Sequence, residues 1–342
     1  MSAARRSCRA LWGALALAGL LGVSGCSLWG GSSKPKPAEL GPNVPVLGVR
    51  QAWTARIGAV EGVALDVHVN GNVVTLASSN GEVAAIDART GGDVWRTQLN
   101  LPLASGVGSD GRWSAVVSRN AQVVALDGAR EIWRKSLPAQ AYTAPLVAGH
   151  RVFGLAAGYQ LWRQQRPGEP LILREGGVLM AVGDTLVAGL SGRLVGFNPD
   201  NGVVRWEAPL ASPRGTNDVE RLVEIVGRTS RVGDSVCARA FQATVGCIDA
   251  GRGTVLWTQP ASGSEGIDGD GSMLFGTESN GTVAAWRRAD GVRAWTSERL
   301  QFRKLTAPLL LGRSVVIGDD TGLVHLLSRE DAAPLNRLFE GI

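Results

Sequence analysis

A chain of 342 residues with 46 Gly, 44% apolar and only 19% charged residues is too long for a disulfide-stapled mini-domain and too apolar for a disordered tract. Its formal net charge is +5, but Arg5, Arg6 and Arg9 fall within the first ten residues, leaving 5 − 3 = +2 for the remainder. That is too little charge for a surface built to hold nucleic acid.

The three arginines form the positive start of an export signal, and Leu11 to Val23 is an apolar run too short to span a bilayer comfortably. Val23-Ser24-Gly25-Cys26 follows, small residues leading into a cysteine in the pattern of a bacterial lipobox. The pattern predicts removal of residues 1–25 and lipid attachment at Cys26; the alternative is an ordinary secretory peptide in which Cys26 is incidental. Arg5-Arg6 hints at twin-arginine export, although the residues after it fit poorly. Ser27, not aspartate, follows the cysteine, so the periplasmic face of the outer membrane is the default destination under enteric-type sorting. Residues 26–48 read as the lipidated terminus and a flexible tether, rich in Gly, Ser and Pro (Gly30, Gly31, Ser32, Ser33, Pro35, Pro37, Pro42, Pro45).

From residue 49 onward the chain is a repeat. Trp53, Trp95, Trp133, Trp206, Trp257 and Trp295 recur at steps of 42, 38, 73, 51 and 38, and 73 is near two steps with one tryptophan lost. A period near 40 means that one supersecondary unit is copied, and units this small must stack to bury an apolar face. With Asp87 as anchor, Gly81 lies six before, Gly91 four after and Trp95 eight after. The same frame fits Asn198 (Gly192, Gly202, Trp206), Asp249 (Ala243, Gly253, Trp257) and Arg287 (Gly281, Gly291, Trp295). Asp127 has Ala121 and a shortened turn to Trp133; Gln164 keeps Gly158 and Gly168 but has Ile172 for Trp; Ser328 keeps Gly322 but has Ala332 and Asn336. Seven copies result, with anchors 40, 37, 34, 51, 38 and 41 apart.

Each copy predicts a four-stranded antiparallel meander. In the first, Val73 to Ala77 meets a tight Asn80-Gly81 turn, Val83 to Ile86 returns, and the Trp strand completes the sheet. One tryptophan per sheet, filling the same gap around a ring, makes the fold an all-β propeller over residues 49–342. Trp53 lies outside the seven units, on a predicted strand that closes the ring against the last of them. Cys237 and Cys247 lie on two strands of one hairpin in the fifth copy, around Phe241-Gln242-Ala243: a two-residue loop would put them on opposite faces, but the expected three-residue loop sets them face to face as neighbours. With Cys26 committed to lipid, these two remain for a bridge in an oxidising periplasm.

Ala85-Ile86-Asp87-Ala88-Arg89-Thr90-Gly91 followed by Trp95 resembles a pyrroloquinoline-quinone-type propeller repeat. Three further stretches narrow the match: Leu171-Ile172-Leu173-Arg174; Pro213-Arg214-Gly215 with Glu220-Arg221-Leu222; and Arg303-Lys304-Leu305-Thr306-Ala307-Pro308 with Gly318-Asp319. With the lipobox, they make residues 49–340 similar to the BamB family, the lipoprotein propellers of the outer-membrane β-barrel assembly machinery. The resemblance implies a non-enzymatic protein with no cofactor and no metal. It also implies that the propeller binds the periplasmic domains of the BamA insertase and helps present nascent outer-membrane proteins. The family's partner-binding group falls on Leu171, Leu173 and Arg174, with an acidic position on Glu224; a second acidic position falls on Val226, where the carboxylate is missing. The family has eight blades, whereas the seventh copy here ends just before Ile342, so either seven blades close the ring or the sequence is truncated.

Blander readings stand beside these. Leu171, Leu173 and Arg174 would serve equally to pack an irregular strand end, because Ile172 takes the place of a structural tryptophan. The charged insertion from about Pro209 to Val232 is either a solvated loop or a partner loop. A quinone dehydrogenase is the rival from another class, but it needs clustered oxygen ligands for Ca²⁺, and its typical adjacent cysteines are here ten residues apart. His68, His150 and His325 are isolated and read as ordinary surface or core histidines. No catalytic triad, metal spacing or phosphate loop is present in the sequence pattern. A periplasmic scaffold for some other protein fits the repeat as well as barrel assembly does.

Overall fold

The computed structural model describes residues 35–61, 67–138, 140–148, 151–153, 173, 177–213 and 222–339. They form a β-propeller of antiparallel sheets in sequence order. Six sheets have four described strands: blade 1 (68–98), blade 2 (108–136), blade 4 (179–209), blade 5 (225–260), blade 6 (267–297) and blade 7 (309–339). Blade 3 has two described strands, Leu146–Ala148 and Arg151–Phe153; its anchor Gln164, with Gly158, Gly168 and Ile172, lies outside the described residues.

The third strand of a blade is buried nearly throughout, because neighbouring blades cover both of its faces. Val83, Ala84, Ala85 and Ile86 are no more than 3% exposed, and Val123 to Leu126 repeat this in blade 2. Such strands read as continuous short apolar runs, whereas the outer strand Asp93–Gln98 is largely open to solvent. The Asp87 turn follows the expected chemistry: its carboxylate accepts the Arg89 N–H at 2.8 Å and its carbonyl the Gly91 N–H at 2.8 Å.

The tryptophans do pack between blades. Trp95 joins the blade 2 residues Val116, Val124 and Leu126; Trp206 joins Val236, Ile248 and Ala250 of blade 5; Trp257 joins Ile267, Leu274 and Trp286 of blade 6. Each ring stands opposite a small residue where the sheet allows it, as in Ala85↔Trp95, Ala125↔Trp133, Gly196↔Trp206 and Ala285↔Trp295. Just before the tryptophan the outer strand carries a β-bulge, skipping Val94, Ile132, Arg205, Leu256 and Ala294; blade 7 skips Leu335 before Asn336. In blades 5 and 6 the indole N–H then reaches a turn carbonyl of the next blade, Trp257 to Arg288 at 2.8 Å and Trp295 to Arg329 at 2.9 Å, whereas the buried Trp206 indole N–H meets no acceptor among the described residues.

Trp53 obeys the same rule, although its surroundings differ from the expectation. Residues 48–53 carry no strand. The Trp53 indole instead donates to Ala88 O of blade 1 at 2.8 Å, and its ring lies against Gly91, where a Cβ would come within 2.7 Å of it. Pairing with the last blade is made upstream: Val46 and Leu47 donate their N–H groups to Leu335 O at 2.8 and 3.0 Å. The bulge at Leu335 explains why, since it takes that residue out of the ladder and leaves its carbonyl available.

Candidate functional site

The residues singled out for partner binding come from the linkers that lead into the inner strands of blades 4 and 5. Leu173 precedes the strand Leu179–Val182, and Glu224 immediately precedes the strand Ile225–Val232. The stretch read as one long insertion therefore ends in regular structure, leaving residues 210–224 between the two strands. Arg214, Asp218, Glu220 and Arg221 of that loop lie outside the described residues, as do Leu171, Arg174 and Cys26.

The ends of the loop are fixed by blade 4. Leu210 and Ala211 both donate their N–H groups to Gly192 O at 3.0 Å, and Thr244 Oγ1 of blade 5 donates to Leu210 O at 2.8 Å. Gly192 sits at φ +77°, and an added Cβ would meet the carbonyls of Ala211 and Val223 at 2.8 and 2.9 Å, so the loop closes on a turn that only glycine leaves open. Val223 and Ile225, 6% and 3% exposed, pin the backbone on either side of Glu224. The Glu224 carbonyl accepts the Phe241 N–H at 2.8 Å, which ties this point to the hairpin turn of blade 5.

Held in this way, the half-buried Glu224 side chain reaches across to the preceding linker, where Oε2 accepts the Leu173 N–H at 3.0 Å. Two positions 51 residues apart in sequence thus meet, one from each of two consecutive linkers. Burial pushes the Glu224 carboxyl above the usual carboxylate range, and the Leu173 hydrogen bond only partly offsets this. The arrangement gives Glu224 a bracing role toward Leu173 that the sequence did not disclose. Val226, where a second acid was sought, is 1% exposed inside the strand and offers no partner contact.

Elsewhere on blade 5 the hairpin loop has three residues, with Ala240↔Thr244 closing it and Gln242 rather than Ala243 at positive φ. Cys237 and Cys247 are directly paired in this register, fully buried, and joined in a disulfide beneath Trp257. His325, isolated in sequence, is buried in blade 7 and donates from Nε2 to Asp319 Oδ2 at 2.9 Å, beside Arg303 Nη1 at 3.2 Å. That cluster closes a turn of blade 7. His68 lies on the inner strand of blade 1, and His150 lies outside the described residues. No group of three or more metal-binding side chains occurs among the described residues.

A family model described as outer membrane protein assembly factor BamB matches residues 79–297. The protein of that name from Bordetella pertussis is 34% identical, the alignment covering 97% of this chain and 90% of the relative. The Burkholderia pseudomallei protein of the same name is 35% identical over 88% of this chain and 83% of the relative. Among solved structures, BamB from Moraxella catarrhalis superposes with a TM-score of 0.73 at 19% identity, covering 82% of this chain and 89% of that one. Quinohemoprotein alcohol dehydrogenase from Comamonas testosteroni gives a TM-score of 0.65 at 13% identity, covering 85% of this chain and 69% of that one, a likeness of fold alone.

Proposed function

Because the chain belongs to the BamB family of outer-membrane protein assembly factors, we propose that it is a non-enzymatic subunit of a β-barrel assembly complex. In this reading it is anchored by lipid on Cys26 to the periplasmic face of the outer membrane. There it binds the periplasmic domains of a BamA-type insertase and assists folding and insertion of nascent outer-membrane proteins. The observation that carries the docking site is the hydrogen bond from Leu173 N–H to the Glu224 carboxylate, which draws the two linkers holding the candidate contacts into one place.

The roles divide by chemistry. Leu171 and Leu173 supply a small apolar centre, and Arg174 offers a planar donor fork to a carboxylate or carbonyl of the insertase. Glu224 holds the Leu173 backbone so that neighbouring side chains are presented without first being ordered, which reduces the entropic cost of association.

Tagged lipoprotein, purified in mild detergent and analysed by mass spectrometry, should carry the insertase with it. Leu173→Ala and Arg174→Ala should each weaken that association by about 2 kcal/mol, roughly 30-fold in Kd, while the thermal unfolding of the propeller is unchanged. Normal recovery of the insertase by both variants would refute the docking site. Recovery of a different protein in its place would make the chain a scaffold of another kind.

A further inference from the structure

The repeat predicts a tryptophan at position 336, and the chain has Asn336. The reason lies in what this strand faces. Blade 7 receives an extended segment from the N-terminal side of the ring, residues 38–47, and Asn336 is its clamp: Nδ2 donates to Leu47 O at 2.8 Å, and Oδ1 accepts from Asn43 Nδ2 at 3.3 Å. Asn43 Nδ2 also donates to Arg337 O at 2.8 Å, Arg337 Nη2 donates to Gly41 O at 3.1 Å, and the Val46 and Leu47 amides share Leu335 O. At the far end the Ala38 N–H donates to Gln301 O at 2.9 Å, and Arg303 Nη2 donates to Ala38 O at 3.1 Å. Arg303 is itself held by Asp319, in the cluster that includes His325. Leu40 adds one apolar contact, packing on the cluster of Leu300, Leu305 and Phe275. Val44 and Val46 stay 67% and 71% exposed, so the segment is fastened by directed hydrogen bonds more than by burial.

We infer that residues 38–47 are an orienting strap: docked along blade 7, they make that blade the point from which the ring is held toward the bilayer. The orienting role rests on the proposed lipid attachment at Cys26; the docking does not. From Cys26 to Ala38 the leash has 38 − 26 = 12 residues, with a root-mean-square span of about 20 Å for a flexible chain. Were the strap free as far as Trp53, the leash would have 53 − 26 = 27 residues and a span of about 30 Å. The local concentration at the membrane would then differ only about three-fold, by the −3/2 power of length. Direction is the larger effect, since a leash leaving beside Gln301 and Arg303 turns one blade and one end of the ring toward the membrane.

Two measurements on the full-length acylated chain test this. Hydrogen exchange should find the Val46 and Leu47 amides protected at least about ten-fold relative to free chain, and Asn43→Ala with Asn336→Ala should abolish that protection. Asn43→Ala alone, at an exposed position on the strap, should lower it without touching the propeller core. For orientation, fluorophores are placed on Asp320→Cys and Asn120→Cys, exposed positions in equivalent turns of blades 7 and 2. In phosphatidylethanolamine–phosphatidylglycerol vesicles carrying a lipid-borne quencher, position 320 should be quenched more than position 120, and Asn43→Ala/Asn336→Ala should equalise them. Unprotected amides in the parent would overturn the strap. Protected amides with equal quenching in membrane-bound protein would overturn its orienting role. A parent that fails to bind vesicles, with its amides protected, would sink the lipid-anchor reading and the orienting role with it, leaving the docked segment intact.

Discussion

Gly91→Ala isolates the packing of a tryptophan on the turn of the next blade. Gly91 sits at φ +73°, and an alanine Cβ there would lie 2.7 Å from Cγ and Cδ2 of Trp53, where ordinary contact begins near 3.4 Å. Gly71, in the same blade at φ +57°, would place its Cβ in open space. The backbone cost of about 1–2 kcal/mol for an L-residue in the left-handed region is common to both substitutions. Only Gly91→Ala adds the overpacking of an indole fixed by its hydrogen bond to Ala88 O, about 1–3 kcal/mol. The expected losses are therefore about 1–2 kcal/mol for Gly71→Ala and about 2–5 kcal/mol for Gly91→Ala. In a Trp53→Ala background the second value should fall to the first, a coupling of about 1–3 kcal/mol. Urea unfolding followed by circular dichroism, with midpoints converted through a common slope, measures the parent and the four variants. Equal costs for the two glycines, or no coupling to Trp53, would refute this account of how the tryptophans join blades.

Two other outcomes follow from the geometry. Burial pushes the Asp319 carboxyl up, but hydrogen bonds from Thr321, His325 and Leu323 together outweigh it and hold the group well below the usual carboxylate range. A depressed folded pKa contributes stability above the unfolded value of 3.8 and loses it as pH falls; Asp319→Asn should thus cost about 3 kcal/mol at pH 7 and flatten the stability profile below about pH 4, checked by urea midpoints across pH. Replacing Cys237 and Cys247 together by alanine removes a crosslink of sequence separation 10 and should cost about 2.5–3 kcal/mol by loop-closure entropy, with the circular dichroism spectrum of the propeller preserved; a spectrum that collapses would show the bridge to be needed for folding itself.

Most of the ring was legible because its determinants are local and recur. The spacing of Gly81, Asp87, Gly91 and Trp95 encodes two turns and a strand, and each repetition restates it, so one weak copy such as Ser328 is carried by the others. The Cys237–Cys247 alignment depended on one turn length; the expected three-residue loop, Phe241–Ala243, is the one present, and the two cysteines are neighbours. The strap was not legible. Its Gly and Pro content reads as a tether, and its partners are one or two polar groups some 290 residues away, as in Asn336 to Leu47 with a separation of 289. Only the missing tryptophan at 336 hinted at it. The Leu173–Glu224 contact was suggested by family likeness, but its form was not, because a side chain bonding a backbone amide leaves no mark on residue type at the receiving end.

The extra residue in each described outer strand has a consequence for how such a chain can change length. Side chains on a strand alternate, so losing one residue between the anchor and its tryptophan would turn the indole from the interblade gap to the opposite side of the sheet. Losing two restores the facing. Blade 2 bears this arithmetic out: Asp127 and Trp133 are six apart, against eight from Asp87 to Trp95, yet Ala125 still faces Trp133 as Ala85 faces Trp95. The repeat is therefore free to drift in length at this turn by even steps, while odd steps are closed to it wherever the tryptophan must stay between blades.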